Sequence, residues 1–153
     1  MDTKPTEGAP VPALSLWLGY AGLLPQVFAI ALVLHGGSYQ WIALAASYAY
    51  AALIFSFLGG VWWGVALARP DTPRWAYVAA VLPSLIGLGL FLPWTFGVDW
   101  PGPSLLWLGL AILVSPLVDR MIAYAPKNWL TLRTHLSLGL GGLTLVLALL
   151  AMK

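Results

Sequence analysis

The sequence predicts an all-α, polytopic membrane helical bundle with five transmembrane helices, and three observations predict it. Apolar residues make up 61% of the 153 residues and charged ones 8%, against about 45–50% and about 25% in ordinary soluble domains. Seven Lys/Arg and five Asp/Glu are too few to cover a soluble globule of this size, and the mean hydropathy is +0.88. The apolar residues also fall in continuous runs of the length that crosses ~30 Å of hydrocarbon, without the period-2 alternation of a membrane β-barrel. This composition excludes a soluble enzyme, a disordered tail and a nucleic-acid binder. The length allows a polar amino-terminal tail at 1–12 and a single transmembrane domain at 13–153. Cysteine is absent, which removes disulfides, thiolate metal sites and redox thiols.

The first span, 14–34, carries no charge. Asp2, Lys4 and Glu7 precede it, and the run is too long for a signal-peptide core, so it reads as an uncleaved span. The second, 42–68, is also uncharged and ends at Arg69-Pro70-Asp71. Thr72 reads as an N-cap, with Pro73 at the first position of the third helix. That span runs over 75–94, with Pro83 inside it. Residues 97–103 are a Gly/Pro turn region. Ser104 starts the fourth span, 104–124, which contains Pro116 and has Asp119-Arg120 near its end. An amphipathic stretch, 126–132, leads into the fifth span, 131–152. Pro25, Pro83 and Pro116 each remove a backbone donor and bend a helix. The carbonyls they free need partners from neighbouring helices or from Ser/Thr side chains.

Five spans put the amino terminus and the second-to-third and fourth-to-fifth loops on one side. That side holds Lys4, Arg69, Arg74, Arg120, Lys127 and Arg133, and the other holds Lys153. Cations in short loops stay cytoplasmic, which predicts the amino terminus inside and the carboxyl terminus outside. Trp17, Trp75 and Trp129 fall near the inner ends and Trp41, Trp94, Trp100 and Trp107 near the outer ends, as in an aromatic belt. Trp62 and Trp63 lie about 10 Å inside the second span at 1.5 Å per residue. Neighbouring helix positions point about 100° apart, so at least one of the two indoles packs inside the bundle.

Few residues carry chemistry. Gly60 and Gly64 make a G-x-x-x-G pair beside Gly59, and Gly19 and Gly22 are small residues at helical spacing. Both sets predict close helix packing. For the Gly60/Gly64 pair, dimerisation or a floor for an apolar ligand beside an indole are the functional alternatives. Gln26 is a mid-membrane amide that needs an interhelical partner or a ligand. Asp119, Arg120, Arg133 and His135 form a polar cluster at the inner face. Ionisable residues so placed pair with one another or face water. Asp119 and Arg133 are predicted to meet as an ion pair across the last hairpin, with His135 one layer deeper and Arg120 snorkelling outward. A basic pocket there also suits a lipid head group. No H-E-x-x-H, G-x-S-x-G or phosphate-binding loop occurs, and no paired carboxylates lie deep in a span. This argues against a hydrolase and an ion-coupled transporter, and no metal or cofactor is expected.

Several segments read together carry a resemblance. They are Leu18-Gly19-Tyr20-Ala21-Gly22-Leu23-Leu24-Pro25, then Ser56-Phe57-Leu58-Gly59-Gly60-Val61-Trp62-Trp63-Gly64, then Pro83, and then Pro126-Lys127-Asn128-Trp129 with Leu132-Arg133. Their order and spacing resemble the transmembrane protein 69-like family, a family of unknown function with bacterial members and a mitochondrial vertebrate member. The resemblance runs from about residue 14 to 149, and its most specific part is the S-F-L-G-G-x-x-W-G segment. It implies a small multi-span inner-membrane protein and no reaction. No Arg-rich, acid-poor leader precedes the first span, which favours a bacterial cytoplasmic membrane over an organelle.

Two roles are consistent with these residues. The first is a non-enzymatic assembly or accessory protein of a membrane complex, in contact with the lipid bilayer and with other membrane-protein subunits through its small-residue faces. The second is a binder or carrier of an apolar or amphipathic small molecule (a lipid, quinone or tetrapyrrole), for which Trp62, Trp63 and Gln26 are the candidate contacts. A lipid-acting enzyme built on Asp119, Arg133 and His135 rests on three residues at an interface and is the least supported.

Overall fold

A computed structural model describes residues 11–98, 101–122 and 127–153, with Lys127 described in its backbone alone. Its helices are α1 (Ala13–Ala21), α2 (Leu24–His35), α3 (Gln40–Leu67), α4 (Arg74–Thr95), α5 (Gly102–Ile122) and α6 (Lys127–Ala151). With α1 and α2 taken as one segment, Ala13–His35, five segments are long and apolar enough to cross a membrane. No strand occurs among the described residues. Many large apolar side chains are turned outward, Leu53, Phe57 and Leu117 among them. A water-soluble protein would bury such a surface, whereas a bilayer solvates it.

The helices pack as two hairpins, α3 against α4 and α5 against α6, with α3 also touching α2, α5 and α6. One core cluster joins Ala51, Phe55 and Leu58 of α3 to Leu105, Leu108 and Ile112 of α5 and Leu147 of α6. A second gathers Trp62 and Ala66 of α3, Ala76 and Ala80 of α4 and Ile122 of α5. Glycines set the closest approaches. A Cβ on Gly109 would meet the Gly141 carbonyl oxygen at 3.2 Å, and one on Gly141 would meet that of Gly109 at 3.1 Å. Gly59 faces the Ala80 carbonyl and the Pro83 ring.

Several sequence expectations are corrected. The first span is two helices, because Pro25 lacks an N–H and occupies the first turn of α2 instead of the interior of a longer helix. Pro93 also lies inside a helix, as Pro83 does, and the sequence reading had not singled it out. Pro73 takes the N-cap expected of Thr72, whose hydroxyl is buried with no partner among the described residues. Helix α5 begins at Gly102 rather than Ser104, and the Ser104 hydroxyl reaches α4. The stretch expected to precede the fifth span is continuous with it in α6. Gly60 and Gly64, expected to pack a helix, face open space, and a Cβ on either would meet nothing within 4 Å. The reason is angular: α3 meets α4 through Gly59, and Gly60 is turned about 100° from it. Gly22 is a kink glycine, since its Cβ would meet its own Gly19 carbonyl at 3.0 Å, while Gly19 does pack, on Leu136 of α6. Most of the amino-terminal tail, with Asp99, Trp100, Tyr124 and Pro126, lies outside the described residues.

The proline-loosened turns receive hydroxyl donors. Tyr50 donates to the Gly22 carbonyl at 2.6 Å, three residues before Pro25. Ser104 donates to Leu90 at 2.6 Å, three before Pro93, and Ser115 to Ile112 at 2.7 Å, four before Pro116. Ile112 is the carbonyl whose helical donor Pro116 removes, so the Ser115 hydroxyl replaces a partner that no water could supply in hydrocarbon.

The glycine contacts give a paired prediction. Gly59→Val is expected to lose about 1–3 kcal/mol of stability, the usual scale of overpacking, while Gly60→Val is expected to be near neutral. Thermal unfolding of the purified protein in detergent measures both.

Candidate functional site

The buried chemistry of the bundle centres on Asp119, which is 1% exposed. The Trp62 indole N–H donates to its Oδ1 at 2.7 Å. Arg133 Nη2 donates to Oδ1 at 3.2 Å and to Oδ2 at 3.3 Å. One carboxylate thus ties α3, α5 and α6 together. An isolated carboxylate in this position would carry a desolvation cost of several kcal/mol, which a hydrogen-bonded partner of opposite charge offsets. The Arg133 guanidinium carbon lies 5.5 Å from the ring centre of Trp129, one turn earlier on α6. That adds a cation–π contact to the same cation. Arg133 Nε is buried with no acceptor among the described residues. At the same end, Arg69 Nη1 donates to the Ile122 carbonyl at 3.0 Å and joins α3 to α5.

The other members of the expected inner-face cluster lie elsewhere. Arg120 is exposed, turned about 100° from Asp119. His135, two residues further along α6 than Arg133, is exposed, and its Nδ1 lies 3.2 Å from the Tyr20 hydroxyl of α1. Two positions on from Arg133, it is rotated about 200° away from the ion pair.

Of the two adjacent indoles, Trp62 is 3% exposed and Trp63 is 42% exposed, set edge-on to Tyr77 at 5.4 Å. The Gln26 amide is fully buried and donates to the Ser47 carbonyl at 3.1 Å and the Thr144 hydroxyl at 3.2 Å. It joins α2, α3 and α6, and its Oε1 has no partner among the described residues. Gln26 and Trp62 therefore occupy separate places and do not form one pocket.

Trp62 lines a cleft of about 550 Å³ between α4 and α5. Its floor is Phe55 and Trp62 of α3, and its walls include Leu82, Pro83 and Ile86 of α4 and Leu110, Ala111 and Val114 of α5. It extends along α4 from Ala79 to Leu90, roughly 17 Å at helical rise. The two polar groups at its α3 floor and α5 wall are already engaged. The Trp62 N–H is held by Asp119, and the Ser115 hydroxyl lies 2.7 Å from the Ile112 carbonyl and 3.1 Å from the Ser137 hydroxyl. The cleft can hold hydrocarbon and offers little to a polar group. The sequence named Trp62 but not its bond to Asp119. The available signal was a buried acid and an indole donor at similar depth.

The family described as protein of unknown function (DUF3429) matches residues 11–150. The chain is 42% identical over 88 residues to transmembrane protein 69 of Xenopus tropicalis. That match covers 56% of this chain and 34% of the relative's own length. No solved structure matches the chain significantly.

The ion pair predicts a non-additive mutant series. Arg133→Leu alone strands a buried carboxylate and is expected to lose about 3–5 kcal/mol. Asp119→Leu combined with Arg133→Leu removes both charges and is expected to lose clearly less. Thermal unfolding of the parent, of Arg133→Leu and Asp119→Leu singly and of the double variant, read as a double-mutant cycle, checks this.

Proposed function

We propose a non-catalytic, ligand-holding role for this chain, which belongs to the DUF3429 family of proteins of unknown function. It is a multi-pass membrane protein with five membrane-crossing segments. The observation that supports the reading is the cleft between α4 and α5, with the Trp62 ring in its floor. Its volume, about 550 Å³, falls within the range of small-molecule sites. Its lining suits the apolar part of a membrane-dissolved molecule. The non-catalytic part of the reading is supported by Asp119, whose two carboxylate oxygens accept hydrogen bonds from Arg133 and Trp62 and so link three helices.

A second reading, an accessory subunit of a larger membrane complex, has one observation in its favour. Gly60 and Gly64 leave a shallow strip on the outward face of α3, where another helix backbone would fit closely. The proposal extends to setting: a bacterial cytoplasmic membrane, with the amino terminus inside and the carboxyl terminus outside, supported by the one-sided distribution of Arg69, Arg74, Arg120 and Arg133. The Xenopus relative makes a eukaryotic membrane the alternative setting.

Filling the cleft tests the first reading. Ala79→Phe and Ala111→Phe each place a ring in it. Native mass spectrometry after mild detergent extraction is expected to find an apolar adduct on the parent protein and to lose it in both variants, with melting temperatures little changed. Equal adduct in all three proteins contradicts the reading. Reporter fusions at positions 72 and 99 test orientation, with 72 expected in the cytoplasm and 99 outside.

A further inference from the structure

A second groove, separate from the cleft, lies between α3 and α4 and encloses about 540 Å³. Its polar groups are the indole N–H groups of Trp41 and Trp94, two hydroxyls, Ser56 and Ser84, which lie 2.6 Å from each other, and the Tyr48 hydroxyl, which donates to the Gly87 carbonyl at 2.6 Å; the rest of the lining is apolar. Each serine carries one hydroxyl hydrogen, and their mutual bond uses one of the two. Neither serine hydroxyl has another partner among the described residues. One hydrogen therefore remains without an acceptor among the described residues, on a pair of hydroxyls that line the groove. Ser84 sits near the middle of α4, roughly 15 Å from either end at helical rise, so this donor lies at mid-bilayer depth. No water competes for it there, and an unmet donor is costly in hydrocarbon.

We propose that this groove binds a lipid-soluble carbonyl compound of the quinone class, whose carbonyl oxygen accepts the hydrogen left over by the Ser56–Ser84 pair. Depth selects the class. The ester carbonyls of phospholipids sit at the membrane interface, about half of the ~30 Å core away, whereas a quinone head enters the hydrocarbon. The rest of the molecule has an apolar wall to lie on: Phe91 meets Trp94 edge-on at 5.3 Å, and Trp94 meets Trp41 at 6.0 Å. Trp41 belongs to α3 and Trp94 to α4, so this aromatic wall joins the two helices at one end of the groove. This site is independent of the α4–α5 cleft, and the role proposed for that cleft can fail without affecting it.

The test uses the full chain in nanodiscs made from quinone-free lipid. Decylubiquinone and a chain-matched alkylbenzene, which lacks carbonyls, are titrated separately and bound copies are counted by native mass spectrometry. Saturable quinone binding at least tenfold tighter than that of the alkylbenzene is expected. Ser56→Ala with Ser84→Ala should weaken it by about tenfold, the scale of one hydrogen bond in a dry site. Ser56→Thr with Ser84→Thr, which keeps both hydroxyls, should restore it. Ala111→Phe, which fills the other cleft, should leave it unchanged. Four results overturn the proposal: no saturable binding, equal affinity for both probes, an alanine double variant that binds like the parent, or loss of binding in Ala111→Phe alone. A shift of oligomeric state in the alanine double variant, with quinone binding unchanged, would show the hydroxyls to be a helix-docking contact instead and would also overturn it.

Discussion

The buried Asp119 carboxylate is the constraint around which the half of the bundle nearest the α5–α6 connection is arranged. A carboxylate in hydrocarbon must find donors, and the structure supplies them from two other helices: the Trp62 indole of α3 and the Arg133 guanidinium of α6. The consequence reaches beyond electrostatics. With its N–H held by Asp119, the Trp62 ring is fixed at the bottom of the α4–α5 cleft. Its one polar atom is turned out of use, and the cleft becomes a hydrocarbon slot. The same α5 helix carries the ion pair and one wall of the slot, so the polarity of one is coupled to the dryness of the other.

Prolines pose a related problem elsewhere in the bundle. Each one loosens a turn and frees a carbonyl where no water can serve it. Ser115 answers at Ile112, the carbonyl that Pro116 frees, while Tyr50 and Ser104 donate to Gly22 and Leu90 in the turns before Pro25 and Pro93. Two of these hydroxyls cross to a different helix, so a local break in one helix becomes a link between two. Gln26 works the same way, spanning α2, α3 and α6 through Ser47 and Thr144. In a bundle whose apolar faces are equally at home in lipid, such polar links and close glycine contacts choose which helix sits beside which.

The number of spans and their limits were legible because hydrocarbon thickness imposes a length on every crossing segment. The α3 and α4 segments begin within a residue or two of where the apolar runs placed them. The break at Gly22 was less legible, since a proline near mid-span reads equally as a kink or as a new first turn. Gly60 and Gly64 misled because the G-x-x-x-G spacing marks a small-residue face without saying whether the chain covers it. The face that α4 does cover begins one residue earlier, at Gly59, and a shift of about 100° around a helix leaves no trace in composition. The candidate ligand sites were the least legible part. Trp62 and Asp119 are 57 positions apart and Ser56 and Ser84 are 28 apart. No periodic pattern joins such pairs; only the tertiary packing does.

The central claim, that Asp119 holds the Trp62 indole in place, is open to one direct measurement: the indole amide spectrum of the nitrogen-15-labelled protein in detergent, with the Trp62 resonance identified by its loss in Trp62→Phe. Nine tryptophans give at most nine such resonances. The account predicts that Asp119→Leu moves the Trp62 resonance strongly while exposed indoles such as those of Trp17 and Trp107 stay where they are. A Trp62 resonance that keeps its position in Asp119→Leu would contradict it.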